Sequence, residues 1–311
     1  MLPLSIIVLS HNRIEELSNN IPRLISLFNS VHEFQIIIVD NNSDDGSKEF
    51  LLDLKKINPQ IELILNNKNL GVGGGRNSGF AIANREYIVA LDDDTRISIN
   101  DLRRIPKLFI KYSSAGILAF RVIHLYSANE QNPHGDKACE VANHHGAGFA
   151  FRRTLLEKVG GIDEECNFGA EELDFAIRVR AQGWKILYIP EITVYHNNYT
   201  RNHEIDRFRR TQRVYNNVRI YFKYFPVWMA YRNSLRYLLL AIRTWVQNHG
   251  FLCAIELIWA SWKGYKMGKS NIQSIPDETV AYYNNSGLRP EFGNVPMVFK
   301  FLNIHNTRHQ R

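Results

Sequence analysis

The chain has 311 residues, 45% of them hydrophobic, and a net charge of +7 at pH 7. This length and composition predict a globular protein with one substantial domain and an appended region. Its three cysteines, Cys139, Cys166 and Cys253, exclude an even disulfide framework and favour a reducing cytosol. No apolar run approaches the roughly 18 residues of a membrane-spanning helix. The apolar start lacks a basic leader, which argues against a signal peptide.

Short runs rich in isoleucine and valine alternate with segments of helical periodicity along the first 100 residues. The runs predict buried strands over residues 4–9, 34–39, 61–65 and 87–91. Helices are predicted over residues 15–28, 47–57 and 77–83. Because strand and helix alternate, we expect a mostly parallel sheet covered on both faces. Later segments predict strands over 146–151 and 185–189, a helix over 171–182, and a mostly helical chain past residue 200.

Three consecutive aspartates, Asp92, Asp93 and Asp94, follow the fourth predicted strand. Clustered carboxylates repel one another unless a cation neutralises them, and hard oxygen ligands suit Mg²⁺ or Mn²⁺. A solvated acidic turn is the alternative. His196 follows a strand-like run over residues 191–195 and offers an imidazole, a common ligand of Mn²⁺-type sites. A lone histidine is, however, more often structural.

Polar clusters also follow the other predicted strands, where ligands of parallel sheets bind. Asp40 ends the second strand and could accept the N–H of a pyrimidine, although an Asx turn explains it as well. The glycine-rich residues 71–77 do not match the dinucleotide fingerprint, because Arg76 and Ser78 stand where its third glycine would fall. A glycine-rich loop could still bring backbone N–H groups and Arg76 to a diphosphate. A flexible turn before the helix is the alternative.

Three carboxylates, Glu171, Glu172 and Asp174, lie in the first turn of the helix predicted over 171–182. Their position suits the helix dipole, so ordinary helix capping explains them. In the functional interpretation, Glu171 or Glu172 is a general base that takes a proton from an acceptor hydroxyl. Glu171 and Asp174 share one helix face, whereas Glu172 points elsewhere.

Seven of these motifs occur in the order found in family 2 glycosyltransferases of the GT-A fold, which the chain resembles over residues 1–200. They are residues 4–13, 39–43, 71–77, 91–95, 148–153 with 160–163, 171–183 and 195–196. The resemblance implies an α/β GT-A fold, Rossmann-like, with a mostly parallel central sheet and helices on both faces. Its nucleotide-sugar side would span about 1–100 and its acceptor side about 101–200. A mostly helical C-terminal region, 201–311, would follow.

The resemblance implies inverting transfer of a sugar, by metal-dependent single displacement, from a nucleotide diphosphate donor to an acceptor hydroxyl. UDP- or dTDP-sugars are the favoured donors, and a growing glycan or lipid-linked saccharide is the acceptor. A rhamnosyl-, galactosyl- or glucosyltransferase of cell-surface polysaccharide or lipopolysaccharide synthesis fits this description. Mn²⁺ or Mg²⁺ would bind at Asp92, Asp94 and His196.

The resemblance also assigns the other site residues. Donor contacts are implied at Ser10, Asn12, Arg13, Asp40, Asn42, Gly71, Gly74, Arg76, Asp92 and Asp93. Asp93, the variable middle position of Asp-x-Asp, is expected to face solvent. Acceptor contacts are implied at His145, Gly146 and Gly148. The family commonly shows Glu-Asp where this chain has Glu171-Glu172, so we expect Glu172 to be the base, with Glu171 and Asp174 as acceptor-site or supporting carboxylates.

Residues 201–270 hold 13 Lys/Arg against 3 Asp/Glu and four of the five tryptophans. Arg232, Arg236 and Arg243 alternate there with aromatic and apolar residues, notably Tyr237 and Trp245, as in a helix lying on anionic lipid. A subdomain that packs on the catalytic domain, or forms a homodimer, explains the pattern equally well. We therefore expect a cytoplasmic protein, with peripheral contact to the inner face of the cell membrane as one of the two interpretations.

Two rival classes use similar features. A sugar nucleotidyltransferase also combines an α/β sheet, a metal and a nucleotide, but residues 10–13 lack the glycine-rich basic signature that usually follows its first strand. A nucleic-acid-binding module would use the basic aromatic stretch. It leaves the aspartates unexplained, so we expect no nucleic-acid partner.

Overall fold

The computed structural model describes residues 3–29, 34–125, 134–197 and 203–286. Within them one mixed sheet contains these strands: β1 (Leu4–Ser10), β2 (Gln35–Asp40), β3 (Glu62–Leu65), β4 (Tyr87–Asp92), β5 (Thr95–Ile97), β6 (Ala115–His124), β7 (Cys139–Glu140), β8 (Gly148–Arg152) and β9 (Lys185–His196). The helices are α1 (Ile14–Asn29), α2 (Ser47–Ile57), α3 (Gly71–Ile82), α4 (Ile99–Lys111), α5 (Thr154–Val159), α6 (Glu171–Ala181), α7 (His203–Tyr224), α8 (Val227–His249), α9 (Leu252–Ser270) and α10 (Asp277–Ser286).

The strand order is β3-β2-β1-β4-β8-β6-β9-β5, with β7 beside β9. Strands β1 to β4 pair in parallel, whereas β8 runs antiparallel to both of its neighbours, β4 and β6. Strand β6 therefore points the same way as β4, and β9 is parallel to β6. The carboxyl ends of β1, β2, β4, β6 and β9 consequently lie at one edge of the sheet, together with the amino end of β8.

Helices cover both faces of the sheet because its strands bury side chains on both faces. On β1, Leu4, Ile6 and Val8 belong to one buried apolar cluster, and Ile7 belongs to the other. This alternation follows from the two-residue period of a strand. The structure confirms the mixed α/β architecture with a central sheet expected from the sequence.

The glycine-rich segment is not the loop expected from the sequence, because α3 already begins at Gly71. Gly75 and Gly79 lie one helical turn apart and face β1. A Cβ atom added to Gly75 would lie 2.6 Å from Leu9, and one added to Gly79 would lie 2.6 Å from Ile7. These glycines therefore allow α3 to approach the sheet closely.

Helices α7 to α10 follow the sheet, as the helical pattern predicted. They share a third apolar cluster with Leu173 and Ile177 of α6, and this cluster also contains Val218, Met229 and Leu257. Part of the C-terminal region therefore packs directly on the helix that carries the candidate base. Within the described residues, no helix has both the length and the apolarity to cross a membrane. Residues 287–311 of the predicted C-terminal region lie outside the described part of the chain.

Candidate functional site

Asp92, Asp94 and His196 meet at the edge of the sheet where β4 and β9 end. One potential ligand atom from each of the three lies within 4.8 Å of the others. Strand β5 pairs with β9 so that Thr95 is opposite His196, which brings the neighbouring Asp94 to the imidazole. His196 Nε2 lies 3.1 Å from Asp94 Oδ1. Two carboxylates and an imidazole are a donor set that suits Mn²⁺ and accepts Mg²⁺.

Electrostatics at Asp94 favour its anionic form. Burial alone would raise the pKa of Asp94, but the hydrogen bond with His196 and the nearby charges lower it below its usual range. Burial opposes protonation of His196, yet the same interaction with Asp94 raises the pKa of this imidazole. Arg13 Nη2 lies 2.6 Å from Asp94 Oδ2. Asp94 is therefore a carboxylate held between the Arg13 guanidinium and the His196 imidazole.

His124 joins this cluster and was not identified from the sequence. It ends β6, and its Nδ1 lies 3.2 Å from Nδ1 of His196. Its ring centroid is also 5.5 Å from that of His145. Burial and the adjacent His196 lower the pKa of His124 to about 4, so it is neutral at pH 7. The sequence signal that could have identified His124 is its position directly after the apolar run of residues 115–123.

The expectation that Asp93 faces solvent is wrong. Its side chain is buried, accepts a 2.7 Å hydrogen bond from the Ser10 hydroxyl, and lies 3.1 Å from Arg13 Nε. Asn20 donates a further hydrogen bond to the Asp93 carbonyl. Burial raises the pKa of Asp93 to about 8, although the Arg13 charge opposes this rise. Asp93 thus holds Ser10 and Arg13 in place beside the metal-ligand cluster.

Asp40 lies at the end of β2, fully buried, where a nucleobase was expected. Its Oδ2 accepts the backbone N–H of Ser43 at 3.1 Å, and its Oδ1 has no hydrogen-bond partner within the described residues. Asn12 and Asn42 nearby both have left-handed backbone conformations, with φ of 52° and 66°. Asn12 also bonds the loop after β2 through Ser43 and Asp44. Hydrogen bonds therefore link the ends of β1 and β2 beside this unpartnered acceptor atom.

Gly71 and Gly74 do not form the expected phosphate-binding loop. The N–H of Gly71 donates to the Asn69 side chain at 2.8 Å, and the N–H of Val72 donates to the Asn167 carbonyl at 3.1 Å. A Cβ atom at Gly74 would lie 2.8 Å from Leu70. Since these first amides of α3 already have protein partners, the two glycines serve close packing.

Arg76 lies deep in the site, only 2% exposed. Its Nη2 donates to Asp92 Oδ1 and to the Gly146 carbonyl, both at 2.7 Å. Its Nε and Nη1 have no hydrogen-bond partner within the described residues. Burial opposes its charge, but Asp92, Glu171 and Glu172 raise the pKa of Arg76. This guanidinium therefore lies between Asp92 of β4 and the charges of the two glutamates of α6.

Glu172 and Gly146 are in close contact. A Cβ atom at position 146 would collide with Glu172 Oε1, so only glycine leaves room for this carboxylate between α6 and the sheet edge. Burial raises the pKa of Glu172, and Arg76 opposes the rise. Burial and the adjacent Glu172 charge raise the pKa of Glu171 to about 8. The site thus holds two carboxylates that are easily protonated and face one arginine.

The other predicted acceptor-side residues are structural or belong to the histidine cluster. His145 accepts the backbone N–H of Ala147 at 3.0 Å, and its ring lies 6.0 Å from His196. A Cβ atom at Gly148 would lie 3.0 Å from Val194, so this glycine lets β8 pack closely. The sequence also did not identify Asn216 of α7, which donates to the carbonyls of Phe168 and Gly169 and fixes the loop before Glu171.

Of the two roles expected for Asp174, an acceptor-site or a supporting carboxylate, its contacts fit the supporting one. Asp174 is fully buried and points away from the sheet edge, toward α7. It forms a 2.6 Å ion pair with Arg178 and a 3.1 Å ion pair with Lys223, and accepts a 2.7 Å hydrogen bond from Tyr224. Glu172 does not share this environment, because it is on another face of the same helix. Asp174 joins α6 to the C-terminal helices.

Asp174→Asn is therefore expected to lower stability. Removing the Asp174 charge takes the carboxylate from Arg178 and leaves Lys223 with only Asp163, and breaking a buried pair in this way costs about 3–5 kcal/mol. Urea unfolding followed by circular dichroism measures this change. Asp53→Asn is the control, since Asp53 forms an exposed pair with Lys56 and little change is expected. Unchanged stability of Asp174→Asn would contradict the structural role.

Comparison with known proteins places the site in a family. Residues 5–170 match the family model described as Glycosyl transferase family 2. The chain is 25% identical over 281 residues to the O-antigen chain rhamnosyltransferase WbaN of Salmonella anatum, which covers 80% of this chain and 84% of that protein. It is 29% identical to an uncharacterized glycosyltransferase of Nostoc sp., over 51% of this chain. The chain spans about half the length of that relative, 54%.

A solved structure has the same fold at low sequence identity. The mannosyltransferase PcManGT from Pyrobaculum calidifontis, in complex with GDP-Man and Mn²⁺, superposes with a TM-score of 0.58 at 17% identity. The alignment covers 91% of this chain and 79% of that protein. This similarity supports the GT-A fold. Because the family model matches more than half of the chain, including the aspartates of β4, the chain belongs to glycosyltransferase family 2.

Proposed function

We propose that this protein is an inverting, metal-dependent glycosyltransferase that uses a UDP- or dTDP-sugar to extend a cell-surface polysaccharide or lipopolysaccharide. One observation carries the proposal: a metal-ligand triad and a pair of glutamates face each other across Arg76 at one sheet edge. Family membership and the similarity to an O-antigen rhamnosyltransferase support the reaction class. Residues 1–200 would be the catalytic domain, and 201–311 the C-terminal region.

The donor set at Asp92, Asp94 and His196 fits Mn²⁺ or Mg²⁺, because its ligand atoms converge within 4.8 Å. A divalent cation bound there would neutralise the diphosphate and stabilise the charge that develops on the leaving group. Arg76 holds Asp92 in position for this role. Arg13 orients Asp94 from the opposite side.

Glu172 is the proposed general base. It would take the proton of the acceptor hydroxyl, whose oxygen then forms a bond to the anomeric carbon. The bond from that carbon to the diphosphate oxygen breaks on the opposite face, so configuration inverts. The position of Glu172 against the Gly146 backbone, directed by α6 toward the sheet edge, supports this assignment. Glu171 is a supporting carboxylate with a raised pKa.

Asp40 is the proposed partner of the nucleobase. Its buried Oδ1 needs a donor, and the imide N–H of uracil or thymine supplies one. Ser10 pairs with Asp40 across β1 and β2, Asn12 bonds the loop after β2, and with Asn42 they would complete the nucleoside site. The similarity to a rhamnosyltransferase supports a rhamnosyl donor, with galactosyl and glucosyl donors as the alternatives to test.

A donor-hydrolysis screen tests the proposed function. UDP-, dTDP- and GDP-sugars are incubated with the protein and Mn²⁺ or Mg²⁺, and nucleoside diphosphate release is measured. We expect release from UDP- or dTDP-sugars, loss of release with EDTA, and recovery on adding metal. Release that is indifferent to EDTA would contradict the metal role, and exclusive use of GDP-sugars would contradict the pyrimidine assignment.

A further inference from the structure

Helices α8 and α9 present a broad apolar face that other described residues do not cover. On α8, Trp228, Leu235 and Leu239 are between 57% and 58% exposed. On α9, Ile255, Trp259 and Trp262 are between 42% and 54% exposed. We call these six side chains the α8–α9 face. The Trp259 and Trp262 rings stack with their centroids 4.6 Å apart, and exposed apolar surface concentrated on two neighbouring helices in this way is typical of a docking site.

The opposite sides of these two helices are already buried. Met229 and Tyr237 of α8, and Leu257 of α9, belong to the apolar cluster shared with α7. Tyr237, which the sequence suggested as a lipid-facing residue, is thus a core residue. The rings of Tyr231 and Tyr265 lie 6.1 Å apart and join α8 to α9. Rotating either helix to bury the exposed face would expose these core residues instead. The α8–α9 face is therefore an outer surface of the protein.

Basic side chains surround this face. Helices α8 and α9 carry six Lys/Arg and one acidic residue, Glu256. Glu256 forms a 2.7 Å ion pair with Arg207 of α7. Lys266 lies 3.7 Å from the ring centroid of Trp262, and Arg232 lies 5.0 Å from that of Trp228. The surface thus combines exposed tryptophans with a fringe of positive charge.

We propose that the α8–α9 face docks on an anionic lipid bilayer. Tryptophan and aliphatic side chains insert at the headgroup level while a Lys/Arg fringe binds anionic headgroups, as in interfacial helices. Charge argues against a second copy as the occupant. A symmetric dimer through this face would bring two basic fringes together, and like charges across an interface are unfavourable.

The test is co-sedimentation with vesicles of phosphatidylcholine, with and without phosphatidylglycerol, at low and high salt. The full chain is expected to bind only the anionic vesicles and to be released by salt, because salt screens exposed charges. Lys263→Gln with Lys266→Gln should weaken binding roughly five-fold for each lysine. Trp259→Ser with Trp262→Ser should weaken it roughly ten-fold or more.

Matched controls lie on α4, far from this face in sequence. Ile110→Ser removes a 74% exposed apolar side chain, and Lys107→Gln removes an exposed lysine. Both should bind vesicles like the unaltered protein, and circular dichroism confirms that every variant is folded. Equal binding to neutral vesicles, no binding at low salt, or self-association that the tryptophan variant abolishes would each overturn the proposal. Vesicle binding is measured without a sugar donor or an acceptor. A negative result is therefore distinguishable from failure of the proposed glycosyltransferase activity.

Discussion

Replacing Asp94 by alanine is expected to abolish sugar transfer while the protein stays folded. Asp94 is the carboxylate that both Arg13 and His196 contact, and its low pKa keeps it anionic. Without it the proposed cation site loses its central ligand. Loss of the charge that stabilises a leaving diphosphate costs about a thousand-fold or more in kcat. Initial rates at saturating donor, together with calorimetric titration of Mn²⁺, measure both effects.

Asp93→Ala is the matched comparison and is expected to behave differently. Asp93 contacts Ser10 and Arg13 instead of lying in the ligand triad, so its loss leaves the buried Ser10 hydroxyl without its acceptor, whereas Arg13 keeps Asp94 and Glu16. Stability should fall, whereas Mn²⁺ binding should persist. Near-normal turnover and Mn²⁺ affinity in Asp94→Ala would contradict the assignment of this aspartate. Loss of Mn²⁺ binding in a folded Asp93→Ala protein would assign the cation to Asp93 instead.

Glu172→Gln is expected to lower kcat by about 10²–10⁴-fold with little effect on donor affinity. Glutamine keeps the shape of the side chain against Gly146 but cannot take a proton from the acceptor. Single-turnover measurements with saturating donor and acceptor separate this loss from weaker binding. Glu171→Gln is the control, since it removes the neighbouring carboxylate and should retain turnover. Near-normal turnover of Glu172→Gln would refute the base assignment.

The pH dependence of the unaltered protein gives a second readout of the same base. A general base acts deprotonated, so activity is lost as the pH falls through its pKa. Burial raises the pKa of Glu172, so the acid limb of kcat/KM should lie above the range of an ordinary carboxyl group. Glu171 takes up its proton at higher pH, with a pKa of about 8, and is uncharged where Glu172 titrates, so Glu171→Gln should leave this limb in place. A limb that moves to lower pH in Glu171→Gln would show that Glu171, and not Glu172, is the group that titrates.

The sequence determined the first four strands, their helices and the order of motifs, because burial period and turn residues are local signals, but it did not predict β5, β6, β7 or α4. Runs of isoleucine and valine marked β1 to β4 within one or two residues. The placement of Asp40 and Asp92 at strand ends then followed, since parallel strands direct their carboxyl ends to one edge. His196 also reached the same edge, as the ordered motifs implied.

Only the tertiary structure decided which partner each polar group has. Asp93 and Asp174 look like site carboxylates in the sequence, yet non-local contacts with Arg13 and Lys223 make them structural. The glycines of α3 serve close packing on β1, and Gly146 makes room for Glu172. The physical reason is that a local pattern reports whether a side chain is buried. It carries no information about the group, distant in sequence, that meets that side chain when the sheet and helices pack.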